Sequence, residues 1–172
     1  MSKFDEALAF VLPEEGGYSN DPADRGGSTF EGVTQRAYDR YRLKNGLHLR
    51  DVRQADPIEI AAFYRSEYWE PAHCDCLQQP MATVCFDSAV QHGPERAIKF
   101  LQTACELDVD GVYGPITAKA ALAMGLPEIE KYMDARHVYY DAIIQNDPSQ
   151  ARFAHGWANR MASLQKFIEE VG

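Results

Sequence analysis

The chain has 172 residues, of which 45% are hydrophobic and 25% are charged, and its formal net charge is −9. This length and composition indicate one soluble domain, or one domain with a small second lobe, around a hydrophobic core. The acidic balance argues against a nucleic-acid-binding protein, which needs a basic face to neutralise phosphates. No run in this sequence approaches the roughly 18 apolar residues that span a membrane, so no stable membrane insertion is expected.

The first elements in chain order are one helix and a long turn-rich segment. Apolar residues at helical spacing predict a helix over 4–12 that ends at Pro13, just before two acids. The following residues are rich in Gly, Asn, Asp and Pro, so turns are expected as far as about Val33. An apolar helix is therefore followed directly by a segment that is rich in polar and turn-forming residues.

Helical patterns account for most of the remaining chain and predict a mainly α fold with at most a short β-hairpin. Thr34 and Asp56 are predicted N-caps of helices over 34–44 and 56–69. Between these helices, residues 47–52 are the segment that favours a short strand or hairpin arm. Further helices are predicted over 81–91, 95–107, 116–124, 129–144 and 150–171.

The break at His92-Gly93-Pro94 predicts a first part over residues 1–92 and a helical second part over 93–172, packed as one compact unit. The N-terminus lacks a basic region followed by an apolar run, so no signal peptide is expected and the chain is predicted to accumulate in the cytoplasm. Its four cysteines are then expected to be reduced thiols.

No metal or other cofactor is predicted. Cys74 and Cys76 are separated by one residue, which is not the usual spacing of zinc ligands. The acidic segment around Asp110 fails as a calcium loop, because Thr117 stands where a bidentate Glu is needed. A turn that caps the following helix explains this segment better.

Residues 15–34 are the most informative segment of the chain. Glu15 ends the apolar helix, and the turns that follow bring further polar side chains close to it. A carboxyl fixed at a helix end suits acid chemistry on a bond in a cleft, since partial desolvation favours the protonated form that can donate. The alternative is that Glu15 solvates the start of a loop. Glu14 points about 100° away on the helix and cannot face the same cleft.

These residues resemble the N-terminal motif of glycoside hydrolase family 108, the lysozyme-like N-acetylmuramidases of phages and bacteria. The resemblance is carried by Glu15-Gly16-Gly17-Tyr18, Asn20-Asp21-Pro22, Asp24, Gly26-Gly27, Thr29 and Gly32-Val33-Thr34. Residues 108–117 and 153–160 are similar to the predicted peptidoglycan-binding half of that family. The resemblance implies a lysozyme-like helical domain that cleaves the β-1,4 bond between N-acetylmuramic acid and N-acetylglucosamine in peptidoglycan, without a cofactor.

The resemblance also implies that Glu15 is the catalytic acid. The spacing of Glu15, Asp24 and Thr29 is similar to the Glu/Asp/Thr arrangement of phage lysozymes, although the gap before the Thr is one residue shorter. By that likeness Asp24 stabilises positive charge on the anomeric carbon or activates a water, and Thr29 places the water. Asp24 is alternatively a turn-forming residue. Glu31 is either a cleft carboxylate or a solvated turn residue, and the second interpretation is favoured.

Five residues are candidates for contact with the glycan, each with a structural alternative. Aromatic rings either stack on sugars or fill the core, and Asn20 offers hydrogen bonds to an acetamido group. Arg160 meets a carboxylate of the peptide stem or pairs with an acid of the protein itself. The five candidates are Tyr18, Asn20, Tyr113, Trp157 and Arg160.

The expected biology is that of a phage or prophage endolysin. Such a monomer is made in the cytoplasm, is released by a holin-type membrane protein and then acts on bacterial peptidoglycan. Two alternatives stay open at the level of sequence. One is a lytic transglycosylase, which uses a single Glu and the sugar's own hydroxyl to form an anhydro product. The other is a wall-binding module without catalysis.

Overall fold

The computed structural model describes residues 1–15 and 29–172, in which eight α-helices and a single two-stranded hairpin are found. This architecture confirms the mainly α fold with a short hairpin. Contacts divide the chain into two units, residues 1–67 and 68–172. The boundary predicted after residue 92 stays a prediction. None of the helices in the described ranges is long and apolar enough to cross a membrane.

The first unit contains three α-helices and the hairpin within its described residues. The elements are α1 (Lys3–Glu15), β1 (Thr29–Phe30), β2 (Val33–Thr34), α2 (Gln35–Lys44), a 3-10 turn (Val52–Gln54) and α3 (Pro57–Tyr64). A π-helical turn (Arg65–Trp69) follows α3 and contains the boundary between the two units. The prediction that α1 ends at Pro13 was wrong. Pro13 lies in the last turn, where its missing N–H removes only one helical hydrogen bond.

Both predicted N-caps of this unit are confirmed. The Thr34 hydroxyl accepts a hydrogen bond from the Ala37 N–H at 3.2 Å, and the Asp56 carboxylate accepts one from the Glu59 N–H at 2.9 Å. Each cap satisfies a backbone donor that the first turn of a helix leaves without a partner. The cap at Thr34 matters for the site, because Thr34 also ends β2 and so joins the hairpin directly to α2.

Residues 47–52 do not form the predicted strand; the hairpin of the described chain lies at residues 29–34 instead. The reason is that a side chain takes the backbone groups that a partner strand would use. The Gln35 amide donates to the Arg50 carbonyl at 2.9 Å and accepts from the Val52 N–H at 2.7 Å. These bonds tie the segment to α2 rather than to another strand.

A half-buried charged cluster joins α2, this segment and α3. Glu59 forms ion pairs with Arg42 and with Arg50. The Tyr38 hydroxyl accepts from both guanidinium groups, at 3.2 Å from Arg42 and 2.9 Å from Arg50. The cluster connects α2, which directly follows the hairpin, to α3 and to residues 47–52.

The second unit is built on α4, which is buried along most of its length. Its elements are a 3-10 turn (Cys74–Cys76), α4 (Met81–His92), α5 (Pro94–Ala104), α6 (Pro115–Ala121), α7 (Leu126–Asn146), a second 3-10 turn (Pro148–Phe153) and α8 (Ala154–Val171). α4 packs on α5, and α5 packs on α7. The four cysteines are free thiols, and Cys74 and Cys85 are buried.

Candidate active site

The end of α1 places two neighbouring acids in different environments. The Glu14 side chain is exposed, whereas Glu15 is half-buried and its Oε1 atom is shielded from solvent. Successive side chains on a helix point about 100° apart, which is why one acid faces water while the next faces the protein. The geometry therefore distinguishes the two acids in the way expected from the sequence.

A tight turn of the hairpin lies against Glu15. β1 and β2 are antiparallel with Phe30 opposite Val33, so Glu31 and Gly32 form a two-residue turn. Their φ angles are 48° and 75°. Two positive φ angles are the mark of a type I′ turn, whose twist matches that of the paired strands. Glu31 is thus a turn residue, and it is half-buried.

Gly32 permits a very close approach between this turn and two helices. A Cβ atom at Gly32 would lie 2.5 Å from the Tyr64 hydroxyl and 2.7 Å from the Glu15 Cβ. The buried Tyr64 also donates its hydroxyl hydrogen to the Glu31 carbonyl at 2.8 Å. The turn consequently lies between the end of α1 and α3, and the Glu15 side chain packs against the Gly32 backbone.

Substitution of Gly32 by Ala should lower the free energy of unfolding by about 3 kcal/mol, since positive-φ strain adds to overpacking. Gly46→Ala is the matched control, because Gly46 has φ +69° and nothing within 4 Å of the added methyl. The control should cost about 1 kcal/mol, from backbone strain alone. Urea denaturation followed by circular dichroism measures both values. Equal losses in the two variants would show that the contact with Glu15 and Tyr64 is not tight.

The structure describes two of the three catalytic candidates. Glu15 ends α1, and the half-buried Thr29 lies on β1 opposite Thr34. Both belong to the first unit, and the hairpin that carries Thr29 contacts Glu15 through Gly32. Asp24 lies outside the described residues, as do the candidate glycan contacts Tyr18 and Asn20. Their roles stay predictions.

Tyr113 belongs to the second unit and lies in the segment between α5 and α6. Its ring stacks on His73, with centroids 4.4 Å apart and planes 11° from parallel. Its hydroxyl is shielded from solvent. Desolvation, with the neighbouring thiols of Cys76 and Cys85, raises the pKa of Tyr113 to about 12. One face of the ring is therefore already occupied by a protein side chain.

The segment before Tyr113 is fixed by a residue that the sequence did not single out, the buried Gln102 of α5. Its amide donates to the Asp110 carboxylate at 2.6 Å and accepts from the Gly111 N–H at 2.8 Å. Asp110 also accepts from the Val112 N–H at 2.8 Å. The Asp110 carboxylate thus stabilises a turn, as expected. It does not cap the following helix, because the N-cap of α6 is Gly114, which has no side-chain hydrogen bond.

Arg160, predicted to contact the glycan, is 4% exposed and pairs with Asp87, which is fully buried. Its Nε atom donates to one Asp87 oxygen at 2.8 Å, while Arg136 Nη1 donates to the other at 2.6 Å. The alternative of pairing with an acid of the protein therefore describes Arg160. Asp87 is the one acidic residue of α4, which is mostly buried and carries no Lys or Arg, and this is the signal that could have pointed to the cluster.

Trp157 is half-buried on α8 and stacks on Tyr140, with ring centroids 4.6 Å apart. The Tyr140 hydroxyl lies 3.1 Å from the His92 Nε2 atom and 3.2 Å from the Arg136 Nε atom. Burial, followed by the positive charges of Arg136, Arg160 and Arg96, lowers the pKa of His92 from 6.5 to about 3. The Trp157 ring therefore covers the edge of a buried polar cluster.

The depressed pKa of His92 predicts a pH-dependent loss of stability. Between about pH 3 and 6.5 the unfolded chain binds a proton at His92 that the folded chain does not. The free energy of unfolding therefore falls as the pH falls through this window, by up to about 1.4 kcal/mol per pH unit from this residue. His92→Gln should reduce that slope in denaturation curves recorded from pH 7 to 4. The exposed His48, replaced by Gln, is the control, and an unchanged slope in His92→Gln contradicts the prediction.

Comparison with known proteins adds two family matches. The family described as Glycosyl hydrolase 108 matches residues 8–93, and the family described as Predicted Peptidoglycan domain matches residues 96–162. The solved structure of SagA from Brucella abortus is 28% identical, covers 95% of this chain and 91% of that chain, and has a TM-score of 0.78. A search of curated proteins found no match. The matches confirm the family resemblance predicted from the motifs.

Proposed function

This chain belongs to the glycosyl hydrolase 108 family, and from that membership we propose that it is an N-acetylmuramidase. Its two family matches make it a peptidoglycan hydrolase with a peptidoglycan-binding domain. The bond that we propose it to cleave is the β-1,4 bond between N-acetylmuramic acid and N-acetylglucosamine.

The observation that carries the proposal is the position of Glu15. Its carboxyl ends α1, has one oxygen shielded from solvent and is pressed against the hairpin turn at Gly32. General acid catalysis needs a carboxyl group held in one place within hydrogen-bond reach of the leaving oxygen. In the proposed reaction Glu15 gives its proton to the glycosidic oxygen as the bond to the anomeric carbon of N-acetylmuramic acid breaks.

The breaking bond leaves an oxocarbenium-like centre that needs negative charge and a nucleophile. Asp24 is proposed to stabilise this charge or to activate the attacking water, and Thr29 to place that water. Support for Thr29 comes from its strand, whose turn touches Glu15 three residues further along. Overall one water is consumed. Its hydroxyl bonds to the anomeric carbon, and a proton ends on the released N-acetylglucosamine oxygen.

The products of a digest test the proposal. Purified Gram-negative peptidoglycan is incubated with the protein, reduced with borohydride and analysed by mass spectrometry. We expect fragments that end in reduced N-acetylmuramic acid. Each is heavier than the glycan unit by one water from hydrolysis and by two hydrogens from the reduction. Anhydro ends would support a lytic transglycosylase, and reduced N-acetylglucosamine ends a different glycosidase. If the protein sediments with the wall but releases no new ends, the result would support a binding module without catalysis.

The route to the wall belongs to the same proposal. We propose that the monomer is made in the cytoplasm and is released there by a holin-type membrane protein. Expression with and without such a protein tests this route, since lysis of the culture is expected only when both are present. Lysis by the chain alone would contradict the need for a release partner, and gel filtration with light scattering measures the oligomeric state.

A further inference from the structure

Tyr64 brings a buried hydroxyl group to the turn that contacts Glu15. The residue is the last of α3 and is 1% exposed. Its hydroxyl donates to the Glu31 carbonyl at 2.8 Å, although the two residues lie 33 positions apart in the sequence. A buried hydroxyl that loses its acceptor is costly, so this hydrogen bond fixes the phenol oxygen and the carbonyl relative to each other.

The hydrogen bond holds a residue in a strained backbone conformation. Glu31 has a φ angle of 48°, in the left-handed region that residues other than Gly, Asn and Asp rarely adopt. Such a conformation persists only where the surrounding structure imposes it. The hairpin contributes through the pairing of Phe30 with Val33, but each of its strands has only two residues. The Tyr64 hydroxyl therefore adds the restraint that a hairpin this short lacks.

The other side of the same turn confines the side chain of Glu15. A Cβ atom added at Gly32 would lie 2.5 Å from the Tyr64 hydroxyl oxygen, 2.7 Å from the Glu15 Cβ and 3.0 Å from the Glu15 Cγ. Helix ends fray, and Pro13 removes a hydrogen bond from the last turn of α1, so this helix alone holds the Glu15 side chain weakly. Contact of both its Cβ and its Cγ with the turn leaves the carboxyl little freedom.

We propose that Tyr64 is a positioning residue for the acid Glu15. Its hydroxyl holds the turn of Glu31 and Gly32 against the Glu15 side chain and so keeps the carboxyl in one rotamer. A misplacement of about 1 Å can cost about a hundredfold in rate, so a group that acts through two contacts can control the reaction. The inference rests on the proposed function, in which Glu15 is the general acid.

The Tyr64 hydroxyl is presented by a well-anchored helix. Near the start of α3, Glu59 pairs with Arg42 of α2, the helix that directly follows the hairpin. Directly after Tyr64 the chain forms the π-helical turn, and single π turns are frequent at functional sites. A residue that orients a catalytic side chain is effective when it stands on a rigid element of this kind.

The rotamer of Glu15 tests the inference, and NMR measures it through the three-bond couplings between the Hα and Hβ protons. We expect one staggered χ1 rotamer in the wild type and averaged couplings in Tyr64→Phe, which removes only the hydroxyl. The matched control is Tyr132→Phe. Tyr132 is fully buried in the second unit and donates its hydroxyl to the Ala97 carbonyl at 3.2 Å, so the same kind of bond is lost there. The control should leave the Glu15 couplings unchanged.

Kinetics on soluble, uncrosslinked glycan strands measure the consequence for the reaction. Tyr64→Phe should lower kcat at least about tenfold and change KM less than about twofold, because a misplaced acid weakens the transition state and not the binding of the glycan. Tyr132→Phe should change both values less than about twofold. In the Glu15→Gln background, Tyr64→Phe should lower the residual rate less than about twofold, since no acid is left to position.

Three results overturn the inference. The first is a set of Glu15 couplings that Tyr64→Phe leaves unchanged. The second is a tenfold loss of rate that persists in the Glu15→Gln background, which would show a structural role independent of the acid. The third is a raised KM with an unchanged kcat. Thermal melts confirm that each variant is folded at the temperature of the assay.

The NMR measurement keeps the two proposals separate, because it does not depend on activity. Hydrolysis by the wild type together with unchanged couplings in Tyr64→Phe removes the positioning role and leaves the muramidase proposal intact. Averaged couplings in Tyr64→Phe without any hydrolysis by the wild type remove the muramidase proposal and leave Tyr64 as the residue that orders Glu15.

Discussion

Replacement of Glu15 by Gln lowers the release of new reducing ends from peptidoglycan by at least about 10³-fold, because the amide cannot donate an acidic proton. Gln has nearly the size and shape of Glu, so the contact with Gly32 is preserved and the fold is expected to persist. The rate is measured with purified walls by a reducing-sugar assay. Sedimentation of the variant with the walls should be the same as for the wild type.

The neighbouring acid supplies the control for this experiment. Glu14→Gln removes the same charge from an exposed position on the same helix end, and it should retain wild-type activity. A strong loss of activity in Glu14→Gln with little loss in Glu15→Gln would show that Glu14, and not Glu15, is the catalytic acid. Activity retained in both variants would remove the α1 terminus from the mechanism altogether.

The largest effect on stability is expected from Asp87→Asn. Asp87 is fully buried and is the acceptor for Arg136 and Arg160, which are also buried. Breaking a buried ion pair leaves an uncompensated charge and costs about 3–5 kcal/mol. Both tryptophans of the chain, Trp69 and Trp157, lie in the second unit, so tryptophan fluorescence follows the unfolding of that unit in urea.

Two further variants define what this loss means. Glu170→Gln breaks an exposed ion pair with Lys166 and should change the free energy of unfolding by less than about 0.5 kcal/mol. Replacing Asp87 by Leu together with Arg136 and Arg160 by Met should recover much of the lost stability, since apolar side chains need no partner charge. A loss below about 1 kcal/mol in Asp87→Asn would mean that water or another group reaches the cluster.

The parts of the fold that could be predicted are those set by a few neighbouring residues. The caps at Thr34 and Asp56 depend on one side chain and the backbone three residues later, so the sequence pattern is sufficient to find them. The hairpin was placed wrongly because its strands are two residues long and show no alternation of apolar and polar residues. The segment 47–52 has a better strand pattern, but Gln35 binds its backbone.

The candidate site also contains residues that could be predicted from the sequence and residues that could not. Glu15 and Thr29 stand in a motif of fixed spacing, and a motif is visible in the sequence. Tyr64 holds the turn from a helix that begins far along the chain, and nothing local marks its hydroxyl as a partner of the Glu31 carbonyl. Gln102 and Arg136 are likewise buried polar residues inside helices whose partners come from other elements. Contacts of this kind depend on packing, which periodicity does not report.

The close packing of Gly32 against Glu15 and Tyr64 has a consequence for the construction of chimeras within the family. A graft that exchanges the segment between Glu15 and Thr29 keeps both of its anchor points, provided that the glycine and the tyrosine are retained. A larger residue in place of the glycine would clash with the Glu15 Cβ as well as with the Tyr64 hydroxyl, so a shorter residue at position 64 would not be sufficient compensation. Libraries that vary this segment should therefore keep Asp24, the proposed charge-stabilising residue, together with Glu15, Gly32 and Tyr64.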